Sequence, residues 1–250
     1  KVYADEMEAS LQKSFDHQGN QVLVRTGMAY SKPYVWDAMA ELEAAGATEI
    51  LLLPMFPQYS TATTASVFNS VEVAAKKWVK PPKLHFVDDL FQEPAFLQAW
   101  ASLIQQHVDI ESLDHIIFSY HGVPEKTIKK ADSAGVCEFG SCCHSVTESN
   151  RLCYRMQCVQ TTLGITRELG WKPDKYSVAF QSRFGPLPWI QPYLDEHIEA
   201  LVAKGNKHIA VVTPSFISDC LETLFEIGIE YREQFEEAGG EQFQLVPNLN

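Results

Sequence analysis

The chain has 250 residues, of which 46% are hydrophobic, and this is enough to bury one large or two medium-sized cores. Its formal net charge of −12 argues against a nucleic-acid partner, because phosphate backbones are bound by basic surfaces. No apolar run reaches the length that crosses a bilayer, and the first residues do not resemble a signal peptide. The sequence therefore predicts a soluble, cytoplasmic protein.

The first half of the chain alternates between helical and strand patterns. Residues 1–15 have helical spacing, and the next apolar stretches are short and bounded by glycine or proline, as expected for strands. Each strand is followed by a segment with one apolar helical face. The predicted helices cover 1–15, 33–45, 61–78 and 94–107, and the predicted strands cover 21–29, 50–56 and 84–87.

The second half repeats this alternation around a long loop. The predicted strands cover 115–120, 176–180, 208–212 and 243–246. Helices precede or follow each of them, and one of these helices is predicted over 188–204. Strict alternation predicts parallel sheets with helices on both faces, joined by right-handed crossovers. The fold class is therefore α/β. Two Rossmann-like domains, 1–113 and 114–250, with a cleft between them fit the length better than a single sheet. The second domain contains a cysteine-rich loop, residues 122–158.

Glutamates recur along one face of the helix that follows the strand 208–212. The stripe consists of Glu222, Glu226, Glu230, Glu233 and Glu237. Like charges four residues apart repel, so a solvated face is the ordinary interpretation, and Asp219 with Glu222 fits a capping box. Glu222 also lies just past the C-terminal end of a predicted strand, where open α/β sheets bind ligands. A path for metal cations is the second interpretation.

His121 is the only histidine at a predicted strand end. It is either satisfied by a neighbouring backbone carbonyl or, opposite Glu222 across a cleft, a base that titrates near neutrality. Such a pair suits stepwise proton removal or the binding of a divalent metal. Aromatic side chains at strand ends are either ordinary core or the lining of a cleft for a large flat ligand. These are Tyr30, Tyr59, Trp189 and Phe216.

Four motifs, spread over the chain in order, resemble those of the ferrochelatase family. They are Leu-Pro-Met-Phe-Pro-Gln-Tyr-Ser at 53–60, Ser-Tyr-His-Gly-Val-Pro at 119–124, Phe-Gln-Ser-Arg-Phe-Gly-Pro-Leu-Pro-Trp at 180–189 and Asp-Cys-Leu-Glu-Thr-Leu at 219–224. The resemblance implies two chelatase-type domains with a porphyrin cleft. It also implies an enzyme of haem biosynthesis, a lyase that inserts Fe²⁺ into protoporphyrin IX with release of two protons. Protoporphyrin IX and ferrous iron are then its partners and substrates.

The resemblance assigns roles to individual residues. It implies that His121 takes pyrrole protons or contacts the iron and that Glu222 is its acidic counterpart, with Glu226 and Glu230 leading metal in or protons out. The expected porphyrin contacts are Tyr30, Tyr59, Ser60, Trp189 and Phe216. Cys220 stands where animal members carry a histidine, and we interpret it as a small apolar residue. The family pattern also implies a βα region before Lys1 and a helix after Asn250.

Five of the six cysteines lie between residues 137 and 158, namely Cys137, Cys142, Cys143, Cys153 and Cys158. Without a secretion signal, this favours metal or cluster ligation over disulfides, although a structural zinc site and unligated thiols are alternatives. Some bacterial ferrochelatases resemble this chain in holding a 2Fe–2S cluster on an internal cysteine-rich segment, and we expect one here.

A 2Fe–2S cluster needs four thiolates, and five are available. Cys153 and Cys158 are separated by about 140° around a continuous helix, so both bind only if the helix begins between them. Adjacent Cys142 and Cys143 point apart, so one of them is the expected spare. Cys137 and Cys158 are the favoured ligands.

Two other functions are considered beside ferrochelatase. One is a cobalt or nickel chelatase of another tetrapyrrole, whose cleft would carry more basic lip residues than Trp189, Phe216 and Leu187 provide. The other is a non-catalytic iron–sulfur or haem-binding sensor on the same scaffold. Peripheral contact with a membrane, where the apolar substrate is made, and the oligomeric state are left open by the sequence.

Overall fold

The computed structural model of the chain describes residues 2–17 and 21–250. The chain divides into two compact units, one formed by residues up to 54 together with 62–88, and the other by 55–61 together with 89–250. The short segment 55–61 thus belongs to the second unit. The boundary at residues 113 and 114 was inferred from the repeat of strand and helix along the sequence, and it stays a prediction.

The first unit is built on a two-stranded parallel sheet in which Ile50 is opposite Leu84. Its elements are α1 (Val2–His17), α2 (Val35–Ala44), β1 (Glu49–Leu52), α3 (Thr64–Ala75) and β2 (Lys83–Phe86). Its core consists mainly of Val35, Met39, Ile50, Val71 and Trp78. The apolar faces of α2 and α3, whose spacing predicted these helices from the sequence, therefore pack against the sheet.

The strand predicted over residues 21–29 is wrong. Residues 21–27 form no strand, because side chains of α1 bind their backbone amides. The amide of Val24 donates to Gln12 Oε1 at 2.8 Å, and the amide of Thr26 donates to Glu8 Oε2 at 2.6 Å. An extended segment must satisfy its backbone groups, and here a helix surface does this in place of a neighbouring strand.

The second unit contains a four-stranded parallel sheet in the order β4-β3-β5-β6. Its elements are α4 (Pro94–His107), β3 (His115–His121), α5 (Glu125–Ala131), α6 (Tyr154–Leu169), β4 (Tyr176–Gln181), α7 (Leu194–Ala203), β5 (His208–Val212), α8 (Arg232–Glu237) and β6 (Gln242–Leu245). The central strand β3 is buried from His115 to Tyr120. Helices cover both faces of such a sheet, which explains its nearly continuous apolar sequence.

The helix predicted over 188–204 begins only at Leu194. The residues before it are extended and pair with the segment that follows β3. The amide of Ile190 donates to the Val123 carbonyl at 3.0 Å, and the amide of Glu125 donates to the Pro188 carbonyl at 2.9 Å. The extended conformation places Trp189 beside the end of β3.

The helix with the glutamate stripe begins as a π-helix, Glu222–Tyr231, and continues as α8. A step of four residues is somewhat less than one turn of a π-helix, so the glutamates still share a face. The capping box predicted for Asp219 and Glu222 is not formed. The Asp219 carboxylate instead accepts hydrogen bonds from the Thr223 hydroxyl at 3.2 Å and from the Asn250 amide group at 2.7 Å.

Two histidines share one hydroxyl group at the start of β3 and β4. Ser177 Oγ lies 2.9 Å from His115 Nε2 and 2.7 Å from His197 Nε2. Since a hydroxyl has one proton, it donates to one imidazole and accepts from the other. Burial, together with the neighbouring His197, lowers the pKa of His115 to about 4, and burial also lowers the pKa of His197.

We predict that this histidine pair makes the protein less stable in mild acid. Both pKa values are lower in the folded chain, so the unfolded chain takes up protons first as the pH falls through about 6.5. The contribution to stability is fully present above that pH and is lost progressively towards pH 4. Urea unfolding between pH 7.5 and 4.5 should show a falling midpoint.

The double variant His115→Gln, His197→Gln should show a flatter dependence of the urea midpoint on pH than the parent. His107→Gln, at an exposed histidine, is the control and should keep the parental slope. Equal slopes in the double variant and the parent would contradict the assignment.

Candidate active site

His121 ends the central strand β3, and its backbone is held from three sides. It pairs with Gln181 of β4 in the parallel ladder. Its amide lies 3.3 Å from Ser215 Oγ, and its carbonyl accepts a hydrogen bond from the Tyr154 hydroxyl at 2.7 Å. The position of this residue is therefore fixed by the sheet, by the turn after β5 and by α6 together.

The imidazole of His121 has a defined tautomer. Its Nδ1 lies 2.6 Å from the carbonyl oxygen of Gly122, and a carbonyl can only accept. In the neutral imidazole, Nδ1 therefore carries the proton, and Nε2 keeps its lone pair. Neutral imidazole with one nitrogen bonded to a carbonyl is the form that accepts a proton or binds a metal ion.

Trp189 packs against the backbone next to His121. A Cβ atom on Gly122 would lie 3.0 Å from Cε3 of Trp189 and 2.9 Å from the carbonyl oxygen of Gln181, so only glycine fits here. The rings of Trp189 and Phe216 are each centred 6.4 Å from the His121 ring. Trp189 itself is only 7% exposed. Two of the predicted porphyrin contacts thus lie beside the predicted catalytic histidine.

Gln181 connects the end of β3 to the glutamate helix. Its side chain is almost completely buried and accepts a hydrogen bond from the Ser119 hydroxyl at 2.8 Å. Its amide group donates to the carbonyl of Glu222 at 2.9 Å and to the Glu226 carboxylate at 3.3 Å. Because Gln181 also pairs with His121, the histidine and the start of the π-helix share one neighbour.

Glu226 is bound to the turn after β4. Ser182 donates to its carboxylate through the backbone amide at 2.8 Å and through the hydroxyl at 2.7 Å. Ser182 has a positive φ of 63°, a conformation that is strained for a residue with a side chain and that presents both donors to the glutamate. Three hydrogen bonds therefore compensate the Glu226 charge.

Glu222 and Glu230 lie on the exposed face of the π-helix. The thiol of Cys220 is half-buried, and burial together with a hydrogen bond to the Glu222 carboxylate raises the pKa of Cys220 to about 11. Cys220 therefore stays a neutral thiol at physiological pH and donates to Glu222, which goes beyond the apolar packing role predicted for it.

The other predicted porphyrin contacts are distributed over both units. Tyr59 and Ser60 lie on segment 55–61 of the second unit, where the Tyr59 amide donates to Gln157 of α6 at 2.6 Å. Tyr30 belongs to the first unit and is 90% exposed. The roles of all these residues stay predictions.

The five clustered cysteines approach one another around the start of α6. The thiols of Cys137 and Cys142 are in hydrogen-bond contact, and Cys142 also contacts Cys143. Cys137, Cys142 and Cys153 line a small cavity of about 40 Å³. Helix α6 begins at Tyr154, so Cys153 immediately precedes it. Thiols are the soft donors that iron–sulfur clusters and zinc take as ligands.

Cys158 has different surroundings. It is fully buried in the main core with Tyr120 and Phe118, and its thiol is in hydrogen-bond contact with the Tyr154 hydroxyl. Burial raises its pKa well above the usual range, and burial also raises the pKa of Cys143 to about 11. For Cys142, burial is outweighed by the backbone amides of Glu138 and Gly140, so its pKa is lowered.

A ready metal-binding arrangement is not found in the described ranges. Across residues 2–17 and 21–250, no three or more His, Cys, Asp or Glu side chains are spaced so that they could hold a metal ion. This includes the five clustered cysteines and the glutamate stripe as they stand. A 2Fe–2S cluster and the metal path therefore stay proposals.

Several residues of the site were not identified by sequence reasoning. Gln181 and Ser182 lie in the motif at 180–189, yet their binding of Glu226 depends on the register of β3 and β4. Tyr154 and Arg155 follow Cys153, but their contacts with distant segments leave no pattern in the sequence. The available signal was only that polar residues follow strand ends in α/β sheets.

The family model described as Ferrochelatase matches residues 1–250. The chain belongs to the ferrochelatase family. The ferrochelatase of Bdellovibrio bacteriovorus is 39% identical over 249 residues, which cover 100% of this chain and 73% of the relative. The ferrochelatase of Coxiella burnetii is 40% identical over 233 residues, which cover 93% of this chain and 65% of the relative. The ferrochelatase of Legionella pneumophila is 41% identical over 227 residues, which cover 91% of this chain and 67% of the relative. The chain thus spans about two thirds to three quarters of these ferrochelatases.

Solved structures share the fold at low sequence identity. The cobalt complex of the sirohydrochlorin chelatase SirB from Bacillus subtilis subspecies spizizenii has a TM-score of 0.61 and 8% identity, with 98% of this chain and 82% of that chain covered. A multi-domain protein from Deinococcus radiodurans, described as structurally similar to chelatases, has a TM-score of 0.58 and 11% identity, with 99% and 48% covered. The predicted α/β, chelatase-type fold with parallel sheets is confirmed.

The predicted ferrochelatase function, a metal-insertion enzyme of haem biosynthesis, is confirmed by the family match and by the ferrochelatases at about 40% identity. The chelatase of another tetrapyrrole and the non-catalytic sensor are not favoured. In the described residues, every helix is too short or too polar to cross a bilayer.

We predict that Gly122→Ala will displace Trp189 in this ferrochelatase. The added methyl group would lie closer than van der Waals contact to the Gln181 carbonyl oxygen and to the Trp189 ring. This overlap should lower the free energy of unfolding by about 1–3 kcal/mol. Urea unfolding measures this cost, and tryptophan fluorescence measures the displacement. Gly228→Ala is the control, because its added methyl would only touch Leu245 at 3.4 Å. Equal stability of the two variants would contradict the prediction.

Proposed function

We propose that this ferrochelatase inserts Fe²⁺ into protoporphyrin IX with His121 as the base and Glu222 as its acidic counterpart. The observation that carries this assignment is Gln181, which pairs with His121 in the sheet and donates to the carbonyl of Glu222. A base and a carboxylate on segments with a common neighbour suit a reaction that removes protons while a divalent cation arrives.

The tautomer of His121 defines its part in the reaction. Because Nδ1–H is bound to the Gly122 carbonyl, Nε2 is the atom that accepts a pyrrole proton. Metal insertion breaks two pyrrole N–H bonds, forms bonds from the ring nitrogens to iron and releases two protons. His121 takes these protons one at a time and passes each on to solvent or to a carboxylate.

The glutamates of the π-helix are proposed to lead metal in or protons out. Glu222 and Glu230 are exposed, whereas Glu226 is bound by Ser182 and Gln181. This difference supports a carrier role for Glu222 and Glu230, with Glu226 holding the helix beside the end of β4. Carboxylate oxygens bind hard divalent cations weakly enough to release them when they are not part of a closed site.

Removal of the histidine tests the assignment. His121→Ala should lower kcat for ferrous iron insertion by at least about a hundredfold, the effect expected for loss of a general base. The fold should be kept, as measured by circular dichroism and urea unfolding. His107→Ala is the matched control at an exposed histidine. Parental kcat in His121→Ala would contradict the proposal.

The alternative tetrapyrrole chelatase is tested with the same preparation. Iron insertion into protoporphyrin IX and cobalt insertion into sirohydrochlorin are measured side by side. Activity with protoporphyrin alone supports the ferrochelatase assignment. Activity with sirohydrochlorin alone would contradict it.

We also propose a 2Fe–2S cluster bound by Cys137, Cys142, Cys143 and Cys153. This choice is supported by the contacts of Cys142 with Cys137 and Cys143 and by the cavity that Cys153 lines together with Cys137 and Cys142. Cys158 is buried in the core beside Tyr154. It differs from the sequence-based preference for Cys158. When bound, such a cluster supplies one-electron redox chemistry. A structural zinc ion on the same thiols remains the second candidate.

Cysteine variants and a spectrum test the cluster. Protein purified without oxygen should absorb visible light and contain iron and sulfide, and Cys153→Ser should lose this absorbance. Cys158→Ser is the matched control and should keep it. A colourless parent protein that contains zinc would contradict the iron–sulfur proposal.

The porphyrin is proposed to bind between Trp189, Phe216 and segment 55–61, which contains Tyr59 and Ser60. The contact expected from Tyr30 stays a prediction from the sequence. The support is the position of the two aromatic rings beside His121. A cleft between the two domains, a cytoplasmic location and contact with a membrane surface stay predictions from the sequence and the family.

A further inference from the structure

Arg155 lies in the first turn of α6 and binds two segments that are distant in sequence. One guanidinium nitrogen, Nη1, donates to the Cys143 sulfur at 3.1 Å. The other, Nη2, donates to the carbonyl of Gln191 at 3.0 Å. The guanidinium carbon also lies 5.8 Å from the centre of the Phe180 ring. The Arg155 side chain thus connects Cys143, one of the clustered cysteines, to Gln191, which lies two residues after Trp189.

The segment from Pro188 to Pro192 is held by hydrogen bonds on several sides. On one side it pairs with the residues after His121, through the amides of Ile190 and Glu125. The Pro192 carbonyl accepts from the amide of Phe180 at 2.9 Å. Arg155 supplies the side-chain contact with the Gln191 carbonyl. Trp189 is also bound by Tyr193, whose hydroxyl accepts from the Trp189 amide at 3.4 Å and donates to the Trp189 carbonyl at 3.1 Å. Arg155 therefore fixes the Gln191 side of a segment whose other sides are held separately.

The geometry of this link requires arginine. The two terminal nitrogens of a guanidinium group point in fixed directions and can bind two acceptors at once, whereas lysine has a single charged nitrogen. Within the described residues, the buried Nε of Arg155 has no hydrogen-bond partner. The side chain therefore forgoes one of its own hydrogen bonds, and the two contacts of its terminal nitrogens compensate for this.

We propose that Arg155 is a positioning residue that couples the cysteine group to Trp189. A change at Cys143, such as the binding of a metal or loss of its sulfur, alters the hydrogen bond on one side of the guanidinium. The guanidinium then moves relative to the Gln191 carbonyl, and the indole of Trp189 moves with its segment. The effect on substrate rests on the proposed function, because Trp189 is assigned there as a porphyrin contact.

The coupling is tested by fluorine NMR of metal-free protein labelled with 5-fluorotryptophan. The variant Trp189→Phe identifies the Trp189 signal. In the parent background, Cys143→Ala should shift this signal. In the Arg155→Met background, the same cysteine change should leave the signal where Arg155→Met alone has placed it. An equal shift from Cys143→Ala in both backgrounds would overturn the proposal.

Two further variants separate coupling from general loosening. Gln160→Met removes the other α6 side chain that binds Cys143, through the Cys143 carbonyl at 2.9 Å, and it should leave the Trp189 signal unchanged. Arg155→Lys keeps the charge and most of the stem, and it should behave like Arg155→Met. A parental Trp189 signal in Arg155→Lys, or a shift in Gln160→Met equal to that in Arg155→Met, would contradict a role specific to the guanidinium.

Porphyrin binding is measured on the same metal-free proteins by fluorescence quenching. Arg155→Met and Cys143→Ala should each weaken protoporphyrin binding by roughly fivefold to tenfold, and the double variant should be no weaker than either alone. Additive losses would contradict the coupling. If the NMR coupling is observed but the parent binds no porphyrin, the proposed function fails and the role of Arg155 in positioning Trp189 stands.

Discussion

The structure of the second unit depends on a row of polar side chains on the buried face of helix α6. Each of them hydrogen-bonds with a segment that contributes to the site. The pairs are Tyr154 with the His121 carbonyl, Gln157 with the Tyr59 amide, Thr161 with Gln58 and Thr162 with the Tyr120 hydroxyl. Buried polar groups are costly unless they are bonded, so the segments are held at defined positions along the helix.

The same helix carries the cysteine group at its first turn. Cys153 comes immediately before it, Arg155 binds the Cys143 sulfur, and Gln160 binds the Cys143 carbonyl. Helix α6 therefore binds both the cysteine loop and the end of β3. Next to His121, the ring of Trp189 packs against the backbone only because Gly122 has no side chain.

Much of the fold could be predicted from the sequence, because apolar spacing reports burial directly. Strands β3 and β5 and helix α4 lie at or within one residue of their predicted positions. The strand predicted over 21–29 is wrong, since side chains of α1 bind the backbone there. That competition involves residues more than ten positions apart, and local propensity carries no information about it.

The family, the α/β class and the segments around the site could be recognised from the sequence, because motifs and apolar periodicity are local properties. The interactions among those segments become visible only in the folded chain. The tautomer of His121, the bonding of Glu226 to Ser182 and the burial of Cys158 in the core all depend on strand register and on the face of α6 that is buried. These are contacts between residues far apart in the chain, and local sequence patterns do not reveal them.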